Sequence, residues 1–294
     1  MNFLLIIIAD ALLAGSFSIT KFYQKLRPVS FRNSNFFGVI CAVPTIIVYL
    51  IMGGFSFKFT PFSFLMCMLQ LIATKLYGII GYFMVASGSI ALYTMFLMTG
   101  GMVLPYVFGI FFWNEQFSVL RMLALVQMIV AVIVSNFDGG KINKKLLLMS
   151  IAVFVLNGAV SIISKIHQTE TRFETVDTAH FALMGAVIGM ITSIAIEGYF
   201  LLGDKREGRK ELISKKVVLR LPILVIVNTL CGVFSNYLLL RGATDIPASV
   251  LYPVNTGGTI VFSSVVGILL FKEKLNSKVV ISVILCCIGT ILFI

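Results

Sequence analysis

Two ionisable side chains lie deep inside apolar stretches of the chain: Asp10 in "LLIIIADALLAG" and Lys75 in "LIATKLYG". A charge at the middle of a bilayer costs on the order of 2.5–3.5 kcal/mol on insertion scales, so such residues mark pathways more often than packing. Asp10 stands about halfway along its run, with Ala14, Phe17 and Lys21 following at helical spacing. On one reading both line a central cavity, where they bind the charged ends of a small zwitterion or exchange a proton. On the other they are a buried ion pair that orients helices 1 and 3. Uncharged polar residues add hydrogen-bonding capacity without the cost of a charge. Asn157, Asn228, Asn236, Asn255, Tyr93 and Tyr252 all sit within apolar runs. Singly, an asparagine there glues helices together; as a set they fit a polar substrate-binding cavity.

Other chemistry is poorly supplied. Five cysteines, Cys41, Cys67, Cys231, Cys286 and Cys287, fall in apolar spans without CxxC spacing, and His167 and His180 are the only histidines. No metal, disulfide or cofactor is expected from them. The stretch "KIHQTETRFETVDTAH" lacks metal spacing, and no nucleophile-base cluster stands out, so the chain is not expected to be an enzyme. His180 opens the seventh run and is expected to be solvated. Glu197 closes it and reads as an interfacial anchor. Nothing resembles a P-loop, so ATP does not drive this chain directly.

The elements that position these residues are membrane helices. Hydrophobic residues make up 59% of the 294 positions and charged residues 12%, against roughly 25% charged in soluble domains. Apolar runs long enough to cross a hydrocarbon core of about 30 Å occupy 2–20, 34–54, 62–85, 89–113, 117–136, 146–166, 178–202, 218–240, 247–271 and 277–294. The expected fold is an all-α membrane protein with ten transmembrane helices. Nothing basic precedes the first run, which is expected to stay as a helix and not to be cleaved as a signal. The short connections leave no room for a soluble catalytic domain.

The net charge of +11 would suggest a nucleic-acid partner in a soluble protein, but its placement suits a membrane. Lys and Arg crowd the odd-numbered connections. Lys21, Lys25, Arg27 and Arg32 precede run 2, and six basic residues separate runs 7 and 8, with Arg220 just inside run 8. The even-numbered connections hold only Lys58, Lys165, Arg172 and Arg241. The positive-inside rule then puts the odd connections in the cytoplasm and both termini outside, in a multi-pass plasma-membrane protein. The partners expected are the lipid bilayer, a small-molecule substrate and a coupling proton, with no nucleic acid.

The chain also repeats itself. "SITKFYQ" from Ser18 closes run 1 and "IISKIHQ" from Ile162 closes run 6; "ALYTMFLMTGG" from Ala91 answers "VLYPVNTGG" from Val250. Each of the latter pair leads through an apolar helix to a turn bearing a glutamate, Glu115 or Glu273. Matches at helices 1 and 6 and at 4 and 9 imply two five-helix copies, residues 1–140 and 141–294. Because five is odd, the copies must be inverted across the membrane. The expected fold is thus two inverted five-helix repeats, in which a monomer suffices and an oligomer is allowed.

Ten helices in two halves, with a Leu-Tyr start and a glutamate-bearing turn after helices 4 and 9, resemble the EamA-like branch of the drug/metabolite transporter superfamily. "ITKFYQ" is also similar to the lysine-bearing end of helix 1 in small multidrug resistance proteins. Those relatives carry a coupling glutamate about two turns before that lysine, where this chain has "LLAGSF" and no acid. The resemblance implies a secondary transporter of amino acids or related metabolites. Inverted repeats and softened helices belong to alternating access, here with export as the expected direction. Pro105 and Pro253 are the expected hinges, since proline removes a helix hydrogen bond. The "TGG" glycines beside them suggest close crossings. Inversion would pair Lys21 with Glu273 on one face and Lys165 with Glu115 on the other, as reciprocal gating latches. Two other readings remain open in the sequence: a component of a flippase for lipid or lipid-linked substrates, and a non-transporting membrane partner.

Overall fold

The computed structural model describes residues 2–27, 30–86, 90–136, 144–207, 215–272 and 277–293. Among them lie ten helices and no strand. The helices are α1 (Asn2–Leu26), α2 (Phe31–Met52), α3 (Pro61–Ala86), α4 (Ile90–Phe112) and α5 (Val119–Asn136), followed by α6 (Lys144–Thr169), α7 (Thr178–Glu207), α8 (Lys215–Asp245), α9 (Ala248–Phe271) and α10 (Ser277–Phe293). Every apolar run becomes a helix. α1 and α8 continue five or six residues past the apolar runs, so Lys21 and Arg241 lie within helices. Eight helices are long and apolar enough to cross a membrane; the apolar parts of α5 and α10, Val119–Val134 and Val280–Phe293, are shorter. Large apolar side chains such as Ile47, Leu65, Leu123, Ile191 and Ile291 face outward, as lipid-facing residues do.

Local chemistry sets the helix ends. Ser30 Oγ accepts from the Asn33 N–H and caps α2, and Pro61 starts α3 where a missing N–H costs nothing. Asn114 (φ 52°) and Lys272 (φ 52°) turn the chain left-handed just past α4 and α9, a common way to stop a helix. In both cases the residue that follows is one of the two repeated glutamates.

Helix directions follow from side-chain contacts. α1 runs antiparallel to α8, with Ser16 bonded to Asn228 and Ile6 beside Gly242. α3 runs antiparallel to α6 (Ser63 with His167, Gln70 with Ser164), and α2 to α7 (Arg32 with Glu197, Gly53 against His180). The short pair α5 and α10 pack antiparallel, Gln127 donating to the Leu285 carbonyl and Gly289 facing the Ala124 carbonyl. α1 is parallel to α9, α2 to α8 and α3 to α7.

Glycines make the closest crossings. A methyl group on Gly100 would overlap the backbone of Phe154 in α6; one on Gly258 would overlap the Asp10 carboxylate, and one on Gly257 would meet Thr290 and Met128. Gly185 of the "GAVIG" stretch has nothing within 4 Å, so that GxxxG match marks open space and not a crossing. Gly100→Ala is expected to cost about 1–3 kcal/mol, because the backbone it strikes cannot move aside. Gly198→Ala, with no neighbour within 4 Å, should stay within about 0.5 kcal/mol of wild type. Thermal unfolding of the detergent-solubilised variants checks both.

Candidate functional site

Four helices, α2, α3, α7 and α8, line a chamber of about 310 Å³. Its polar wall is uncharged: Thr45, Tyr49, Gln70, Thr74, Asn228 and Asn236 all contribute. Asn236 Nδ2 donates to Tyr49 Oη at 3.0 Å, and Tyr49 Oη donates to the Val233 carbonyl at 3.3 Å. Gln70 Nε2 donates to Ser164 Oγ at 3.1 Å. These bonds fix the amide planes, which orients the groups that a ligand would meet.

Thr74 also borders a second cavity, of about 650 Å³, toward the end of the molecule that carries the α1–α2 turn. Exposed Gln24 and Ser34 line it, so this vestibule reaches the surface. Lys75 is half-buried in its wall and donates to Ser193 Oγ at 2.8 Å. No carboxylate among the described residues lies within ion-pair distance of Lys75. Beside the vestibule, Arg32 pairs with Glu197 at 3.3 Å. Asn35 Nδ2 donates to Glu197 Oε2 at 3.5 Å and to the Ser193 carbonyl at 3.0 Å. Glu197 is therefore an internal tie between α2 and α7 and not a helix-end anchor, since α7 continues to Glu207.

The opposite end is closed by polar contacts. Lys165 Nζ, buried near the end of α6, donates to the carbonyls of Ala243 (2.7 Å), in the last turn of α8, and Ile246 (2.6 Å), just past it. Glu115 accepts from the N–H groups of Ala248 (2.7 Å) and Ser249 (2.8 Å), the first of α9. A helix end leaves such groups unsatisfied and carries partial charge, negative at the carboxyl end and positive at the amino end. Lys165 and Glu115 are each placed against the matching sign. They do not bond each other; the α8–α9 turn lies between them. Gly109 is needed here, since any side chain on it would overlap the folded-back Glu115 carboxylate.

Nearby, Ser63 Oγ lies 2.8 Å from His167 Nε2 and accepts from the Val176 N–H, pinning the α6–α7 turn to the start of α3. His167 stacks on Phe181 at 3.7 Å. His180 is 3% exposed and thus not solvated. Its Nδ1 lies 2.7 Å from Asp177 Oδ2 and its Nε2 lies 3.0 Å from Ser56 Oγ. The Ser56 hydroxyl donates to the Gly53 carbonyl at 2.7 Å, and Asp177 Oδ1 accepts the Ala179 and His180 N–H groups. This Ser-His-Asp line ties the α2–α3 turn to the start of α7. Partial burial raises the Asp177 carboxyl, but the His180 N–H, its imidazole and Lys58 more than offset that and hold it below the ordinary carboxylate value.

Of the residues the sequence singles out, Lys75 and Tyr93 line the vestibule and Asn228 and Asn236 the chamber. The others stand elsewhere. Asp10 is fully buried where α1 meets α9, makes no pair with Lys75, and neither of its oxygens has a hydrogen-bond partner. Asn157 donates to the Leu97 carbonyl at 2.7 Å and Tyr252 to the Ser161 carbonyl at 2.6 Å, both as helix-to-helix ties. Asn255 is half-buried in α9 and lines neither cavity. Pro105 and Pro253 lie inside helices that run on through them. Lys21 Nζ sits 4.7 Å from the Phe271 ring centroid; Glu273 lies outside the described residues. Gln70, Thr74 and Ser193 escaped the sequence reading. The spacing of Gln70 and Thr74, four residues apart on one helix face with Lys75 adjacent, was the available signal.

A crystal structure described only as that of a protein matches with a TM-score of 0.71 at 13% identity, over 99% of this chain and 94% of that chain. At that identity the likeness speaks for the fold alone. No curated protein matches. The profile of the EamA-like transporter family matches residues 144–294. That is just over half of the chain, which belongs to the EamA-like transporter family.

Proposed function

We propose that the protein is a secondary transporter that moves a small polar metabolite, an amino acid or a related compound, outward across the plasma membrane by alternating access. The observation that carries this reading is the uncharged polar chamber. It joins a vestibule at one end of the bundle through Thr74, while Lys165, Glu115 and His167 close the other. A passage open at one end only is what one state of an alternating carrier requires.

Two inverted five-helix repeats, 1–140 and 141–294, account for this shape, with all ten helices spanning. α5, of 18 residues, is about 27 Å long at 1.5 Å per residue, close to the hydrocarbon thickness. Exchanging each helix for the one five places on turns α1 against α8 into α6 against α3, and α2 against α8 into α7 against α3. The observed directions agree in each case, antiparallel for the first and parallel for the second. The family match, starting at residue 144, coincides with the second repeat. Positive-inside bias puts the vestibule in the cytoplasm and the Lys165 end outside, so the state described is inward-open with both termini extracellular. Lys21 and Glu273 are the corresponding latch at the cytoplasmic end, and Pro105 and Pro253 are the points where α4 and α9 bend. Asp10 is the site for a coupling proton, since a buried carboxyl without a partner changes protonation readily as its surroundings change.

Counterflow in proteoliposomes of defined orientation tests the reading directly: cargo loaded on one side must accelerate uptake of labelled cargo from the other, and its absence for every solute the cells export would end the proposal. Lys165→Met should favour the outward-open state by about 1.5–3 kcal/mol, the worth of a hydrogen bond to a charged group. Cysteine labelling near the α6–α7 turn reads that shift. Asp10→Asn should abolish the pH dependence of flux; unchanged rate and pH profile would remove the proton role.

A further inference from the structure

The charges around the two cavities do not cancel. Arg32 and Glu197 neutralise one another, and Asn35 occupies a further site on the same carboxylate. Lys75 has the Ser193 hydroxyl and no acid. A half-buried ammonium in a membrane protein calls for an anion. The chamber beyond Thr74 presents amides and hydroxyls with no charged side chain in its wall.

Resting on the transport reading above, we infer that the cargo is a small organic carboxylate. Its anionic end sits on Lys75 Nζ and Ser193 Oγ, and its uncharged polar part in the chamber lined by Gln70, Asn228 and Asn236. One cation and one hydroxyl suit a single negative charge; a phosphate dianion calls for a guanidinium fork or several cations. A free amino acid fits less well, because its ammonium group meets no unpaired acid in either described wall. A monoanion also has a driving force in the export direction. A membrane potential negative inside favours its exit by about 50-fold in concentration per 100 mV.

The test compares cells expressing the wild-type chain, Lys75→Gln, Lys75→Arg, Ser193→Ala or no chain, profiling the solutes of medium and cytosol by mass spectrometry. Gel filtration of each purified variant confirms folding. Expected is the accumulation in the medium of carboxylates of net charge −1. Lys75→Gln should lower it at least 10-fold and Ser193→Ala about 5-fold, the equivalent of one hydrogen bond, with partial retention by Lys75→Arg. Exported solutes that are zwitterions, cations or phosphates, or undiminished export by folded Lys75→Gln, overturn the inference and leave the transport reading standing. If no solute differs between expressing and empty cells, the transport reading falls and takes the inference with it.

Discussion

No backbone polar group can be left bare inside a bilayer, and helix ends are where that rule bites. At the α8–α9 turn the last carbonyls of one helix and the first N–H groups of the next meet, and two side chains of opposite charge satisfy them. Lys165 arrives from α6 and Glu115 from just beyond α4, so one turn holds four helices. In the proposed carrier, withdrawal of Lys165 would leave the carbonyls it serves to water, so this end would be either dry and clamped or wet and open. Such two-valued contacts are what convert small shifts into distinct states.

The glycines divide the bundle by task. Gly100, Gly257 and Gly258 are pressed against neighbours, two of them against backbone or a buried carboxylate, and they fix α4 on α6 and α9 on α1 and α10. Gly185 and Gly78, in the cavity walls, face open space. The tight crossings make a scaffold out of α1, α4, α6, α9 and the α5–α10 pair. The chamber belongs to α2, α3, α7 and α8, which meet through an apolar cluster that includes Phe181 and Val233 and, at the chamber wall, through hydrogen-bonded side chains. Polar contacts of that kind can exchange for water as the walls separate, whereas interlocked backbone cannot.

All ten helices were legible as apolar runs because a bilayer sets a minimum apolar length. Their ends were less so. α1 and α8 run on through Lys21 and Arg241, because the need for backbone hydrogen bonds outlasts the apolar stretch. The candidate site was half legible. Lys75 could be found by its cost alone, and Asn236 by being polar in an apolar run. Asn157 and Tyr252 met the same criterion yet serve as ties, because which helix a polar face meets is a tertiary fact. His180 was read as solvated from its place at a helix start. Its burial comes from the end of α2, over a hundred residues earlier, folding across it.

On the transport reading proposed above, the uncompensated charge on Lys75 would link occupancy to motion. Closing the vestibule around an empty site would take the ammonium further from water with only the Ser193 hydroxyl to replace it, and desolvating an unpaired ion is costly. With a carboxylate in place the same closure buries a neutral pair, at far smaller cost and with a stronger attraction as water leaves. In the proposed carrier the loaded form would therefore close more readily than the empty one. The Arg32–Glu197 pair beside it has the reverse role. Already neutral, it ties α2 to α7 without calling for an anion, so in the proposed carrier Lys75 would be the group that responds to what the cavity holds.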